Sequence, residues 1–548
     1  MAFLLFLFLL VCYWFSGHGL LHLFGMRLKP AFMVTLSLLL GIAVASVIPF
    51  ILQLFYIVLT GPAVFGAIAV VALLLNIPLF LRIRREGFAA VLRSFPFGPR
   101  PDSKGRRSFP FGLRWFKSGR FRLQTYELPF LLIIAFMTFV SVWRCYYFPP
   151  TSRDALSGPE AIAEYAVREQ SMINSFFSID LWSTNNQFKS PFLISLQLIY
   201  KLAGFPFGQI WLSIIFVCFT IFLYQVLKER LHPILAGLLL LLFTMSPEIY
   251  AYSFMILYDY SNMVFYFLGI YFLFGAATNT FTGPSATAIS APTSTASIAV
   301  ASATNTFTGP SAPPPRLIAF AGLLLGIATY IRSETLALVI LLLPVLFLMQ
   351  LRSDTGRLQR PSAPVIKKMA WSTFFFLLPS GIGYYLPTQL YIKYYLPVHY
   401  DIGALLNPHL TDWHPLFQRY GDIITKLLYG TLATHLWGYL FYCATALFLA
   451  ELLFIRRFSR EARNWLYAML VLYLALGAMG FALPMFNLLE TTKRALFKMM
   501  PLALLYLANN EIVLRLSHRI SRWEAAAAPS QPTPGGSRPN PKKKHRKK

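Results

Sequence analysis

The sequence "LPFLLIIAFMTFVSVWRCYYFPPTSRDALSGPEAIAEYAVREQ", residues 128–170, joins an apolar run to a polar segment with four carboxylates. The first half, 128–147, is long enough to cross a bilayer as a helix. It lacks the alternating pattern of a barrel strand, and helices are the other structure that satisfies its backbone in lipid. The stretch therefore predicts a membrane-spanning helix followed by a polar segment at the membrane surface.

Apolar runs of this kind recur along the chain. Of 548 residues, 57% are hydrophobic and 13% are charged, with a mean hydropathy of +0.58, whereas soluble domains carry about a quarter charged residues. We therefore predict an all-α polytopic membrane protein with about 13 transmembrane helices. The predicted spans are 2–24, 31–58, 63–82, 128–147, 208–227, 234–252, 260–276, 317–331, 335–350, 370–390, 432–455, 464–483 and 495–512.

The positions of the basic residues predict the orientation. The net charge is +27, and Lys and Arg concentrate between the apolar runs, as they do in cytoplasmic loops. The basic segments are 82–122, 351–368, 456–463 and 515–548. Placing them in the cytoplasm leaves four extracytoplasmic segments, 148–207, 253–259, 391–431 and 484–494. The tail ending in "PKKKHRKK" is expected near anionic membrane headgroups, with no nucleic-acid partner.

The chain divides into six predicted regions. They are N-terminal transmembrane helices at 1–82, a basic cytoplasmic loop at 83–127, a membrane core at 128–276, a low-complexity linker at 277–315, a C-terminal membrane bundle at 316–512 and a basic disordered cytoplasmic tail at 513–548. The linker repeats "ATNTFTGPSA" at 277–286 and 303–312. Such Ser-, Thr- and Ala-rich sequence has no means of building a core.

A short helix is predicted in the first large extracytoplasmic segment. Ser157 is a candidate N-cap, and Glu160, Glu164 and Arg168 follow at helical spacing. This spacing is typical of an amphipathic helix on the outer membrane surface, with the charged ladder as its solvated face. Glu160 and Glu164 are also candidates for contacts with a substrate.

Two aspartates of separate extracytoplasmic segments are the candidate catalytic residues. Asp154 precedes the helix at the membrane boundary, where a carboxylate can orient or deprotonate a nucleophile; helix capping or pairing with Arg153 is the alternative. Asp259 is the acidic residue of the second segment, and a solubilising loop residue is its alternative. Together the two carboxylates suit an acid/base site or a divalent metal ion.

Cations at the outer surface are the candidate phosphate ligands. Arg332 and Glu334 interrupt a largely apolar segment, and charges at membrane depth are costly and usually paired or functional. Arg suits bidentate phosphate binding; an interfacial Arg or a plain Arg332–Glu334 pair is the alternative. The predicted orientation also places three cations outside, Lys493, Arg494 and Lys498. Basic residues usually lie in cytoplasmic loops, so their position indicates either phosphate binding or an incorrect topology.

The segment 391–431 carries His399 and Asp401, together with other His, Asp and Trp residues. Their spacing matches no zinc signature, and polar and aromatic groups of this kind suit a sugar or a headgroup surface. The chain has no Walker motif, no dinucleotide fingerprint and no GxSxG, which argues against ATP-driven transport and soluble-cofactor chemistry. No cofactor is certain, and a divalent metal ion is the one candidate.

In order and character, these segments resemble the GT-C class of integral-membrane glycosyltransferases, which includes protein O-mannosyltransferases and the lipid A aminoarabinose transferases. The resemblance spans roughly residues 128–510. It rests on "SRDALSGPEAIAEYA", "NNQFKSPFLISLQLIYKLAG", "YDYSNMVFYFLGIYF", "GLLLGIATYIRSE" and "KRALFKMMPLALLYLA". Three spans and a basic loop precede the first large outer segment, which departs from the pattern, as does the low-complexity linker.

The resemblance implies a transferase that uses a polyprenyl-phosphate-linked sugar on the outer face of the inner membrane of a cell envelope. It implies Asp154 as base or acceptor-orienting carboxylate, Asp259 as a second acidic residue, and Arg332, Lys493 and Arg494 as ligands of the donor phosphate. The acceptor would be a glycan, a lipid or a protein, and membrane lipids would surround the helices. Two alternatives stay open: a polysaccharide polymerase or ligase, and a transporter or flippase of a lipid-linked or anionic solute.

Overall fold

A computed structural model describes most of the chain: residues 1–26, 28–86, 125–178, 189–278, 315–351, 362–395, 413–456, 458–482 and 496–527. These residues form helices joined by short turns, with no strand among them, so the predicted all-α class is confirmed for this part. Four of its helices are long and apolar enough to cross a membrane, Ala2–Leu23, Pro30–Leu54, Thr125–Tyr147 and Ile210–Lys228. They are consistent with the predicted membrane protein.

The helices follow one another in this order. In the first half they are α1 Ala2–Leu23, α2 Pro30–Leu54, α3 Gly61–Leu75, α4 Ile77–Glu86, α5 Leu128–Tyr147, α6 Arg153–Leu156, α7 Pro159–Glu169, α8 Phe192–Leu202, α9 Ile210–Lys228, α10 Pro233–Thr244, α11 Pro247–Tyr252 and α12 Tyr258–Thr278. In the second half they are α13 Pro315–Ile331, α14 Thr335–Ile340, α15 Leu343–Leu351, α16 Ala363–Tyr385, α17 Trp413–Thr431, α18 Thr434–Trp437, α19 Leu440–Ala450, α20 Arg460–Ala482, α21 Met500–Asn509 and α22 Glu511–Ala527. Leu386–Tyr395 and Glu451–Ile455 are π-helical.

Five predicted spans are wrong as single helices in the part of the chain that the structure describes: 63–82, 234–252, 335–350, 432–455 and 495–512. The span 234–252, for example, is divided between α10 and α11, and the span 335–350 between α14 and α15. At these two breaks a proline lies in the first turn of the next helix, Pro247 in α11 and Pro344 in α15. Proline has no N–H to extend a preceding helix and fits the first turn of a new one, so the apolar run continues while the helix does not.

Segments that join the helices contact one another at the two ends of the bundle. Each end is named after one of its residues. At the Lys228 end, Lys228 pairs with the buried Glu127 at 2.7 Å, and Lys29 pairs with Glu229 at 2.5 Å. At the Arg332 end, Arg332 meets Asp259, and the segment after α5 joins the turn after α2 through a backbone hydrogen bond. Segments predicted to share one side of the membrane therefore meet at one end of the bundle, as the predicted alternation of cytoplasmic and extracytoplasmic segments requires.

Helices α13 and α16 approach at backbone distance. Gly322 and Gly326 of α13, four residues apart, lie against the α16 backbone, where a Cβ added to Gly326 would be 2.6 Å from the Pro379 carbonyl oxygen. A Cβ on Gly383 would overlap the carbonyl oxygen of Gly326. Small residues at this spacing let helices pack closely in membranes. The contact fixes the position of α13, whose last residue, Ile331, precedes Arg332.

We expect Gly383→Ala to destabilise the protein by about 2–3 kcal/mol, because the added methyl group forces two backbones apart. Gly381→Ala on the same helix is the matched control, since nothing lies within 4 Å of its Cβ position. Thermal unfolding of the two variants in the same detergent measures the difference. Equal midpoints would contradict the close approach of α13 and α16.

Candidate functional site

The site is built on two neighbouring helix ends. Asp259 lies in the first turn of α12, and Arg332 directly follows the last residue of α13. Their side chains meet, with Arg332 Nη2 3.2 Å from Asp259 Oδ1. The two residues stand 73 positions apart in the sequence, and the structure confirms that they share one end of the bundle.

Hydrogen bonds fix the relative positions of these helix ends. Asn262, one turn after Asp259, donates from Nδ2 to the Ala328 carbonyl oxygen at 2.6 Å and to Thr335 Oγ1 at 3.0 Å. Ala328 is one turn before Arg332 and also accepts the Arg332 N–H at 3.0 Å. The Asn262 amide therefore holds α12 in register with the turn that carries Arg332.

Two further charged side chains complete the cluster. Arg332 Nη1 donates to Glu334 Oε1 at 2.8 Å, and Lys498, only 3% exposed, lies near enough to interact electrostatically with Arg332, Glu334 and Asp259. Burial acts to raise the pKa of Glu334, but Arg332 and Lys498 outweigh it and hold that pKa below its ordinary value. Burial likewise acts against the Arg332 cation, while Asp259 and Glu334 raise the pKa of Arg332 above its ordinary range.

The cluster combines two cations with two carboxylates, one of which is deeply buried. Asp259 is 1% exposed, and neither of its carboxylate oxygens accepts a hydrogen bond from any residue of the described ranges, apart from the ion pair with Arg332. The Arg332 and Glu334 side chains keep 22% and 35% exposure, so the cluster is open on their side. A guanidinium with five N–H donors can keep its carboxylate contacts and still bind a phosphate oxygen.

The other candidate residues have separate positions. Asp154 lies in α6, which packs against α7, and is partly buried. Gly158, not Ser157, is the N-cap of α7, so the predicted cap was wrong by one residue. Four candidates, Lys493, Arg494, His399 and Asp401, lie outside the described residues.

The charged ladder of α7 was predicted as a solvated face, and for Glu160 that interpretation is wrong. Lys201 of α8, 7% exposed, pairs with Glu160 at 2.7 Å and with Glu164 at 2.9 Å. Glu160 is only 13% exposed, because α7 buries this side against α8. Glu164 and Arg168 share a face as their helical spacing predicts, and they pair at 3.1 Å with Arg168 exposed.

Two residues of α8, Lys201 and Gln197, contact α7, and neither contact was predicted from the sequence. Gln197 donates to Glu160 and to the Phe207 carbonyl oxygen, and it accepts a hydrogen bond from Trp211 Nε1 at 2.8 Å. A hydrogen bond from Lys201, together with its charge, lowers the pKa of Glu164, so the carboxylate stays charged beside the ammonium. The sequence signal for these contacts was the spacing of Gln197 and Lys201, four residues apart in the largely apolar "FLISLQLIYKL". The network holds α7, and with it α6 and Asp154, against the bundle.

We expect Lys201→Met to destabilise the protein by about 3–5 kcal/mol, because it leaves the carboxylate of Glu160 buried without its cation. Lys29→Met is the control, since that lysine is 72% exposed in its pair with Glu229 and should contribute less than about 1 kcal/mol. Thermal unfolding in detergent measures both. Adding Glu160→Gln to Lys201→Met should recover part of the loss, and a Lys201→Met variant as stable as Lys29→Met would disprove the network.

Within the described ranges, no group of three or more His, Cys, Asp and Glu side chains is arranged to hold a metal ion. The charged groups of the site are two cations and two carboxylates at the Arg332 end. Asp154 lies on a helix beside the same end. Comparisons with models of known protein families, with curated proteins and with solved structures found no match.

Proposed function

We propose that the protein is a membrane glycosyltransferase of the GT-C type, which moves a sugar from a polyprenyl-phosphate donor to an acceptor on the extracytoplasmic face. The observation that supports this best is the partly buried cluster of Arg332, Lys498, Asp259 and Glu334 at the Arg332 end. The charge pattern of the loops predicts that this end faces outside. A lipid-linked phosphate would reach the cluster there from the membrane side.

The two cations suit the donor phosphate. In a partly buried site their interaction with an anion is stronger than it would be in water. Arg332 is held by carboxylates on both sides, so its guanidinium is oriented before the donor arrives. Groups preorganised around developing charge are the usual source of transition-state stabilisation. Lys493 and Arg494 come just before Lys498 in the sequence and are proposed to bind the same phosphate.

The proposed reaction is an inverting displacement at the anomeric carbon. The acceptor hydroxyl oxygen forms the new bond to that carbon, while the bond from the carbon to the phosphate oxygen breaks. Polyprenyl phosphate leaves with the electron pair, and its negative charge is stabilised by Arg332 and Lys498. Asp154 accepts or orients the hydroxyl proton, and Asp259 keeps Arg332 in place. The phosphate is a good leaving group, so no general acid is required.

The experiment that tests this function measures release of polyprenyl phosphate. The full chain is reconstituted in lipid nanodiscs with a set of polyprenyl-phosphate sugars and candidate acceptors. Release that depends on both protein and acceptor, with inversion at the anomeric carbon, is the expected result. A retained configuration would refute the single displacement.

A lipid-linked-sugar polymerase or ligase would use the same donor, and the acceptor consumed in this assay distinguishes it. A transporter or flippase would use the same charges to bind its solute. Transporters usually bind near the middle of the membrane, whereas the Asp259–Arg332 pair lies where α12 begins and α13 ends. Movement of intact donor across proteoliposomes, without release of polyprenyl phosphate, would favour the transporter and reject the transferase.

A further inference from the structure

Helix α22 lies across the Lys228 end of the bundle and is attached along one side. Ser517 Oγ accepts the backbone N–H of His232 at 2.7 Å, and Glu524 pairs with His232 Nε2 at 2.9 Å. The Tyr126 hydroxyl also donates to Glu524, at 3.1 Å. Val513 is buried on the same stripe. Contacts at 513, 517 and 524 therefore hold most of the length of the helix against the protein.

The beginning of α22 is fixed as well. Asn510 Oδ1 accepts the N–H of Ile512 at 3.0 Å, and its Nδ2 donates to the buried Glu451 at 2.7 Å. The 17 residues that follow form a helix about 25 Å long, so the predicted disorder of 513–548 is wrong for residues 513–527. The helix therefore lies against the end of the bundle, turned away from α21 at Asn510.

The remaining surface of α22 has an exposed apolar edge. Leu516 and Trp523, seven residues apart and so on nearly the same side, are 43% and 70% exposed. A basic face, made of Arg515, Arg519 and Arg522, lies next to this edge at helical spacing. Arg515 pairs with Glu511, whereas Arg519 and Arg522 have no ion pair with the part of the chain that the structure describes.

The lipid-facing surface of the protein begins beside this helix. Glu524 contacts Tyr126, two residues before α5, a helix long and apolar enough to cross a membrane. Leu128 and Leu132 at the start of α5 are 52% and 60% exposed, and in a membrane protein such a surface is covered by acyl chains. Trp523, next to Glu524, is therefore close to the level where the acyl chains would begin.

We propose that α22 is an interfacial helix that binds anionic phospholipid headgroups of the leaflet at the Lys228 end. Trp523 and Leu516 enter the boundary between headgroups and acyl chains, where tryptophan is favoured. Arg519 and Arg522 bind the lipid phosphates, to which a guanidinium can donate two hydrogen bonds. This surface is separate from the proposed catalytic site and does not depend on the transferase activity.

Hydrogen–deuterium exchange of peptides from 511–527 tests the proposal, with the full chain in nanodiscs of phosphatidylcholine alone or of phosphatidylcholine and phosphatidylglycerol. One arginine near an anionic surface strengthens binding about fivefold, so two strengthen it about thirtyfold. Exchange of the backbone amides of 511–527 should therefore be slower in the anionic nanodiscs by up to roughly thirtyfold. The double variant Arg519→Gln/Arg522→Gln should lose most of that difference. It keeps the basic tail 528–548, which separates the contribution of the helix from that of the tail.

Lys367→Gln/Lys368→Gln is the charge-matched control, because these exposed lysines lie on α16 and not on α22. It should leave the lipid dependence of 511–527 unchanged. Equal exchange in the two kinds of nanodisc would overturn the proposal and favour a protein partner for the exposed edge. A lipid dependence that survives in the arginine variant would overturn it too, since it would then arise from the tail.

Discussion

Replacing Arg332 with Gln is expected to lower the release of polyprenyl phosphate by about 100- to 1000-fold, the usual loss when one group that stabilises developing charge is removed. Its guanidinium is held 3.2 Å from Asp259 and 2.8 Å from Glu334, beside the buried Lys498. Gln retains some hydrogen-bonding capacity but not the charge. The concentration of donor needed for half-maximal rate should also rise, because the same charge binds the ground-state phosphate.

A second variant separates this role from a structural one. Arg332→Gln alone leaves Asp259, 1% exposed, without its cation and should cost about 3–5 kcal/mol of stability. The double variant Arg332→Gln/Asp259→Asn removes both charges, so it should recover stability while remaining slow. If turnover recovered together with stability, Arg332 would be only the ion-pair partner of Asp259 and would have no role in binding the phosphate. Thermal unfolding and initial rates on the same preparations give both quantities.

Replacing Asp154 with Asn is expected to lower turnover by about 100- to 10,000-fold, the range attributed to a positioned general base. Asn has the same shape but cannot accept the hydroxyl proton. The dependence on donor concentration should change little, because Asp154 is assigned to the acceptor and not to the phosphate. Initial rates at varied donor and acceptor concentrations measure both effects.

Glu169→Gln is the control for Asp154→Asn. It changes an exposed carboxylate of the same outer segment, which accepts the Ser175 N–H at 2.9 Å, and near-normal turnover is expected. If Asp154→Asn were as active as Glu169→Gln, Asp154 would have no part in the mechanism. The capping or pairing role would then be the better explanation of this residue.

The sequence predicts much of the helical fold and one half of the site. Hydropathy locates the long spans, and the alternation of basic and polar loops brings Asp259 and Arg332 to one end, where they meet. Both predictions rest on properties that are local in the sequence. The breaks at Pro247 and Pro344 were missed because an apolar run reports hydropathy and not the continuity of a helix.

The contacts between distant side chains could not be predicted in the same way. Lys498 was predicted as an outer cation, but its burial beside Arg332 depends on the packing of the turn Phe497–Met499 against α12. Glu160 was assigned to a solvated face because helical spacing says which residues share a face and not what covers it. The α8 helix covers it, with Lys201 as the partner. Periodicity in one segment carries no information on such a neighbour.

We propose that the Arg332 cluster binds the phosphate of a lipid-linked sugar. The most direct test is an experimental structure of the full chain in nanodiscs with a non-hydrolysable polyprenyl-phosphate sugar. Phosphate density in hydrogen-bond contact with Arg332, with the sugar directed toward α6 and Asp154, is the predicted result. Phosphate density in a cavity at the middle of the membrane, away from Arg332 and Lys498, would contradict phosphate binding by the Arg332 cluster.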